Sequence, residues 1–155
     1  MPSLEQLLRQ REGVKTKVYK DSEGRLTVGI GHLVTSADKL KLGDEITDAQ
    51  VSEFFKKDSA KALAAAKSQA TQAGISDSDF IVYLASVNFQ LGTGWNKDHK
   101  KTWGLIMEGK YEEAAKEAEN SKWFRQTPVR VKDFQGALRD LAPKKVPEPR
   151  KGPNP

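Results

Sequence analysis

The stretch from Asp48 to about Thr71 constrains this chain most: Val51, Phe54, Phe55, Ala62 and Leu63 form an apolar stripe at helical spacing. Ile46-Thr47 opens it, with Thr47 as cap and Gln50 at the third helical position. A helix of roughly 24 residues would span about 36 Å, the width of a small domain. The whole chain has 155 residues, enough for one domain or two small lobes sharing an element. A helix this long predicts the second arrangement, with the helix as the link.

The remaining elements fall on either side of it. Ser3-x-x-Gln6 is a capping box, and Leu4, Leu7 and Leu8 continue at helical spacing to Glu12, where Gly13 is expected as a left-handed cap. Val18 to Lys20 and Arg25 to Ile30 are β-prone runs around Asp21-Ser22-Glu23-Gly24, which has hairpin-turn chemistry. Gly74 and Ser76-Asp77-Ser78 separate the long helix from another at about Asp79 to Leu91, apolar on most sides and so expected at the centre of the second lobe. Gly92-Thr93-Gly94 is a break. Shorter helices are expected at about Lys101–Glu108 and Tyr111–Asn120. Thr127-Pro128 then reads as a cap with Pro at the first helical position of a helix to about Leu141. The expected organisation is one domain over 1–142: a small lobe at about 13–58, the linking helix at about 48–71, and a helical lobe at about 75–142 joined by the N-terminal helix. The fold class is α+β and mostly helical. Five of the seven prolines lie in 143–155 beside Lys144, Lys145, Arg150 and Lys151, which reads as a basic solvated tail.

Composition narrows the chemistry. There is no Cys and there are two His, His32 and His99, so no thiolate or histidine metal site is expected. No P-loop or dinucleotide fingerprint occurs, so no cofactor is expected. The 26 basic against 21 acidic residues give a charge of +5, which suits nucleic acid, anionic membrane or anionic cell wall without choosing among them. No stacked aromatic-plus-basic motif supports nucleic acid. No apolar run reaches the ~20 residues that cross a bilayer, and the sequence Met1-Pro2-Ser3-Leu4-Glu5 shows no secretory leader.

Carboxylate chemistry remains. Glu12 ends the first helix in line with Leu4 and Leu8, so partial burial and the negative end of the helix dipole both disfavour its anion, as a general acid requires. A helix-end Glu facing water is the alternative. Asp21 follows at the hairpin turn, and Thr27 lies in a strand whose period puts it with Gly29 and Gly31 on a face open to a ligand. Read singly, Asp21 is a turn-former and the glycines are loop geometry.

Together, Arg11-Glu12-Gly13, Tyr19-Lys20-Asp21, Gly24 and Leu26-Thr27-Val28-Gly29-Ile30-Gly31-His32 resemble the phage-type lysozymes, whose catalytic triad has the spacing Glu, eight residues, Asp, five residues, Thr. Ile46-Thr47, Asp58, Phe89-Gln90-Leu91-Gly92, Glu112-Glu113-Ala114-Ala115 and Lys122 to Pro128 extend the likeness over about Leu4 to Leu141. The resemblance implies a lysozyme-like fold and hydrolysis of the β-1,4 bond between N-acetylmuramic acid and N-acetylglucosamine in bacterial peptidoglycan. It implies that Glu12 protonates the leaving oxygen, Asp21 supports the oxocarbenium charge and helps activate water, and Thr27 holds that water, with inversion at the anomeric carbon. Gly31, Leu33, Phe89 and Gln90 match positions lining the family's cleft. His32 matches a structural His that pairs with the Asp at the position of Asp58. Arg130 matches an Arg that contacts the catalytic Glu and would oppose the effect of burial. Trp123 and Phe124 are expected to pack rather than form a sugar platform.

Departures from the pattern fall at Trp95 to Thr102, larger and more basic than in the T-even relatives, and in the tail. The leading expectation is an endolysin, a monomer held in the host bacterial cytoplasm until a holin lets it reach the periplasmic cell wall, with no stable membrane insertion. A muramidase delivered by a phage tail or secretion system, a lytic transglycosylase, and a wall- or nucleic-acid-binding module are the competing readings.

Overall fold

A helix cap sets the first element. In the computed structural model, which describes residues 2–142, Ser3 Oγ accepts from the Gln6 N–H and Gln6 Oε1 accepts from the Ser3 N–H. Helix α1 (Leu4–Glu12) follows and buries Leu7 and Leu8. It stops at Gly13 with φ +71° and ψ −173°. The expected left-handed cap is thus corrected: φ is positive but ψ is extended, a combination open to glycine that turns the chain directly into a strand.

Strands β1 (Lys15–Lys20), β2 (Leu26–Gly29) and β3 (His32–Leu33) form an antiparallel sheet in that order. Tyr19 stands opposite Thr27, and Thr27 opposite Leu33. The expected strand to Ile30 is shorter, because Gly29 and Gly31, at φ +70° and +64°, fold the chain back into β3. A 3-10 turn at Ser36–Asp38 follows.

Helix α2 (Asp48–Gln72) has 25 residues and starts on a Thr47/Gln50 capping box. Helix α3 (Ser78–Leu91) is capped by Asp77, whose carboxylate accepts from the Phe80 N–H at 2.8 Å. Helices α4 (Trp95–Asp98), α5 (Lys100–Met107), α6 (Tyr111–Ala118), α7 (Lys122–Gln126) and α8 (Pro128–Leu141) complete a mostly helical α+β fold. Two of these, α4 and α7, are not expected from the sequence; they are too short to show a period. Pro128 takes the first position of α8, but Thr127 does not cap it with its side chain. Its hydroxyl accepts from the Gln90 amide and donates to the Trp123 carbonyl.

Two apolar clusters organise the packing. Leu8, Val18, Val28, Ile30, Ile46, Val51 and Phe55 form the core under the sheet. The second gathers Phe80, Leu84, Trp95, Trp123, Phe134 and Leu138 with eleven other buried residues from α2 onward. Helix α2 contributes to both, with Val51 and Phe55 in the first and Ala66 and Ala70 in the second. Among the described residues, no helix is long and apolar enough to cross a membrane. The expected tail at 143–155 lies outside the described residues.

Candidate active site

Glu12 is the last residue of α1, and its carboxylate meets α8. Arg130 Nη1 donates to Glu12 Oε2 at 2.8 Å, and Arg130 Nη2 donates to Ser86 Oγ and the Ser86 carbonyl. Both partners are largely buried, at 19% and 9% side-chain exposure. One residue earlier, Arg11 forms a bidentate pair with Asp133 of α8 at 2.8 and 3.0 Å, which fixes the end of α1 that carries Glu12. The other carboxylate oxygen faces Gly31: a Cβ on that glycine would lie 2.7 Å from Glu12 Oε1. Gly31 therefore clears the space in front of the acid. Gly29 does not share that role, as its missing Cβ would rest against Val51 of α2.

Asp21 sits at the β1–β2 turn. Its Oδ1 accepts from the backbone N–H of Glu23 and Arg25, and its Oδ2 from Arg25 Nε. Burial pushes the carboxyl up, but the Arg25 and Glu23 amides and the Arg25 guanidinium outweigh it, so Asp21 titrates below the ordinary carboxylate value. It is a fixed anion across neutral pH. Thr27 is 4% exposed, and its hydroxyl donates to the Arg25 carbonyl at 3.1 Å, leaving the oxygen as an acceptor. Tyr19 lies opposite Thr27. Burial raises its phenol, and the charges of Glu12 and then Asp21 push it the same way, so both carboxylates act on one side chain.

Beside Glu12 opens a cavity of about 290 Å³. Gly31, His32, Leu33 and Thr35 line it from β3 and its flanks, Asp58, Lys61 and Ala62 from α2, Asn88 and Phe89 from α3, and Gly92 and Thr93 from just past its end. Leu33 is 45% exposed there. Gln90 is not among the lining residues; its amide oxygen accepts from the Trp123 indole and its amide nitrogen donates to Thr127. Trp123 is buried in the helical core, and Phe124 packs against it.

His32 is closed in on both sides. Nδ1 lies 2.6 Å from Asp58 Oδ2 and Nε2 lies 2.8 Å from Asp38 Oδ2, while the ring stacks on Phe54 at 4.0 Å. Burial lowers its pKa, but Asp58 and Asp38 prevail and hold it above the ordinary value. With both nitrogens occupied, His32 has no free position from which to take a substrate proton. Asp38 escaped the sequence reading; its signal is Thr35-x-x-Asp38, since Asp38 Oδ2 also accepts from the Thr35 N–H. A buried amide pair was missed too. Gln69 and Asn88 exchange hydrogen bonds at 2.9 and 2.8 Å, and the Trp95 indole donates to Gln69 Oε1. The basic segment Trp95–Thr102 thus begins on a buried anchor. Among the described residues, no three His, Cys, Asp or Glu side chains cluster to hold a metal.

The turn after Asp21 also reaches α7: Gln126 Nε2 donates to Glu23 Oε2 at 2.9 Å, and Lys122 Nζ lies 3.8 Å from Glu23.

Residues 9–139 match the family described as phage lysozyme. The chain is 35% identical over 150 residues to probable T4-type lysozyme 2 of Dictyostelium discoideum, covering 83% of this chain and 88% of that protein. It is 31% identical over 136 residues to peptidoglycan hydrolase gp36 of Pseudomonas phage phiKMV, covering 88% of this chain but 15% of that protein. With pre-baseplate central spike protein Gp5 of Enterobacteria phage T4, identity is 28%, over 83% of this chain and 26% of that protein.

Proposed function

The chain belongs to the phage lysozyme family, and on that footing we propose that it is a muramidase: it hydrolyses the β-1,4 bond between N-acetylmuramic acid and N-acetylglucosamine in bacterial peptidoglycan. The observation that carries this reading is the carboxyl of Glu12, held at one oxygen by Arg130 and open at the other over Gly31. Arg130 orients the group; Oε1 carries the proton to the glycosidic oxygen as the bond to the anomeric carbon breaks. Asp21, kept ionised by two backbone amides and Arg25, opposes the oxocarbenium charge and draws a proton from the incoming water. The Thr27 oxygen, with its own proton committed to Arg25, accepts from that water and holds it on the far face of the sugar. The water adds there, Glu12 is left as the anion, and the new reducing end is the α-anomer. This outcome needs the carboxyls about 6.5–9.5 Å apart, whereas about 5–5.5 Å would give retention.

The biological role we propose is that of an endolysin. It acts as a monomer on the periplasmic wall, waits in the host cytoplasm and depends on a holin for release. A second reading is favoured by one observation, the similarity to a protein named as a central spike: delivery with the particle would use the same chemistry.

The test is loss of turbidity in outer-membrane-stripped Gram-negative cells. Glu12→Gln keeps the shape but has no acidic proton, so lysis should fall by at least about a thousandfold, within the range that acid catalysis contributes, while the fold persists. Turnover by a folded Glu12→Gln protein would remove the mechanism. Proton NMR of the first products reads the anomer; an initial β-anomer would mean a covalent or substrate-assisted route.

A further inference from the structure

Helix α2 presents three residues to the cavity beside Glu12, namely Asp58, Lys61 and Ala62, spaced to share one helix face. They have different fates. Asp58 is committed to His32 at 2.6 Å. Ala62 is buried and brings almost no bulk. Lys61 is exposed, and among the described residues no carboxylate lies within 4.0 Å of its ammonium. The other charged or amide side chains on the cavity wall are already occupied: His32 between Asp38 and Asp58, Asn88 by Gln69 and the Leu84 carbonyl. Lys61 is thus the lining charge left without a protein partner among the described residues.

A cation lining the cavity, with no carboxylate beside it, can meet an anion carried by the substrate. We propose that Lys61 is a specificity-determining residue, its ammonium pairing with a carboxylate carried by the glycan. This rests on the reading of the cleft as a peptidoglycan site. A polymer of N-acetylglucosamine alone carries no carboxylate. N-acetylmuramic acid carries one on its lactyl ether where the peptide is absent, and where the peptide is attached, the peptide supplies others. An ammonium is a compact point charge on a flexible stem and accepts one carboxylate without the fixed fork geometry of a guanidinium. It can therefore serve either source.

The experiment compares wild type with Lys61→Met and Lys61→Arg; methionine is a good helix former at an exposed position, so the fold is kept. Initial rates are measured on peptide-stripped glycan strands and on intact peptidoglycan, at low and physiological salt. Binding of chitotetraose is measured in a Glu12→Gln background with and without Lys61→Met. We expect KM to rise about fivefold for Lys61→Met at low salt, the size of one partly exposed ion pair, with kcat unchanged. The difference should shrink with added salt, Lys61→Arg should restore most of it, and chitotetraose binding should not change. A rise on stripped strands assigns the lactyl carboxylate; a rise confined to intact peptidoglycan assigns the peptide. Unchanged KM on both charged polymers, or an equal loss on chitotetraose, overturns the role of Lys61. A wild type that opens neither polymer overturns the muramidase reading beneath it.

Discussion

The sheet core and the helical core are held by different forces. The helical core has seventeen buried apolar residues, among them Phe80, Trp95 and Trp123, whose rings all pack on Phe134. The sheet core has seven, and around it stand charged and polar ties: His32 between two carboxylates, Asp21 gripping its own turn, and the Thr47 box. Burial scales with area and ignores pH, whereas paired charges titrate. A small core therefore leans more on groups whose strength depends on the solution than a large one does. The candidate acid lies where they meet, on α1, with Leu8 packed into the sheet core and Arg130 reaching from α8.

That contrast can be broken in order of size. Phe134→Ala removes a fully buried ring from the helical core and should cost about 3–5 kcal/mol, equally at acid and neutral pH. Denaturant titration at two pH values checks it; a pH-dependent loss would undo the distinction. His32→Asn should cost about 2 kcal/mol, the scale of hydrogen bonds to charged groups, and only over part of the pH range. The raised pKa of His32 means its share is complete below the ordinary 6.5 and lost as pH rises through the folded value. For Asp38, lowered from 3.8, the share is present above that value and lost as pH falls through the folded one. The difference between wild type and variant should peak in mildly acid solution; a flat difference from about pH 5 to about pH 9 would mean that shape and not charge holds the sheet core.

Gly31→Ala tests the seam. The positive φ and the collision with Glu12 should cost about 1–2 kcal/mol, while displacement of the carboxyl lowers lysis by about a hundredfold. Activity lost in proportion to folded protein alone would show that Gly31 does not set the acid. Gln126→Ala comes last. Its contact with Glu23 is exposed, so thermal unfolding should register less than about 0.5 kcal/mol; a larger loss would mean the two regions stabilise each other through this bridge.

Much of the fold is legible where local chemistry decides it. The Ser3/Gln6 and Thr47/Gln50 boxes start α1 and α2 at the expected residues, and α2 ends one residue past Thr71. Period fails where there is too little of it, in the two residues of β3, the four of α4 and the five of α7. Thr127 shows a different limit, since the hydroxyl of a cap-like residue accepts from the Gln90 amide and donates to the Trp123 carbonyl. In the site, Glu12, Asp21 and Thr27 stand close in sequence and form a local pattern. Arg130 joins Glu12 from α8 and is itself held by Ser86 of α3, and Asp38 and Asp58 reach His32 from opposite sides. Nothing in local spacing reports which residues meet; Arg130 was accessible through family resemblance, and Asp58 through resemblance and its place on the apolar stripe of α2.

The bond between Glu12 and Arg130 spans 118 positions, and that span has a meaning in time. A ribosome adding about 5–20 residues per second places roughly 6–24 seconds between the two side chains. Throughout that interval the nascent chain has the candidate acid but not the cation that pairs with it. Fragments from stalled synthesis or from proteolytic loss of α8 are in the same condition: they carry Glu12 without the guanidinium that holds its carboxylate.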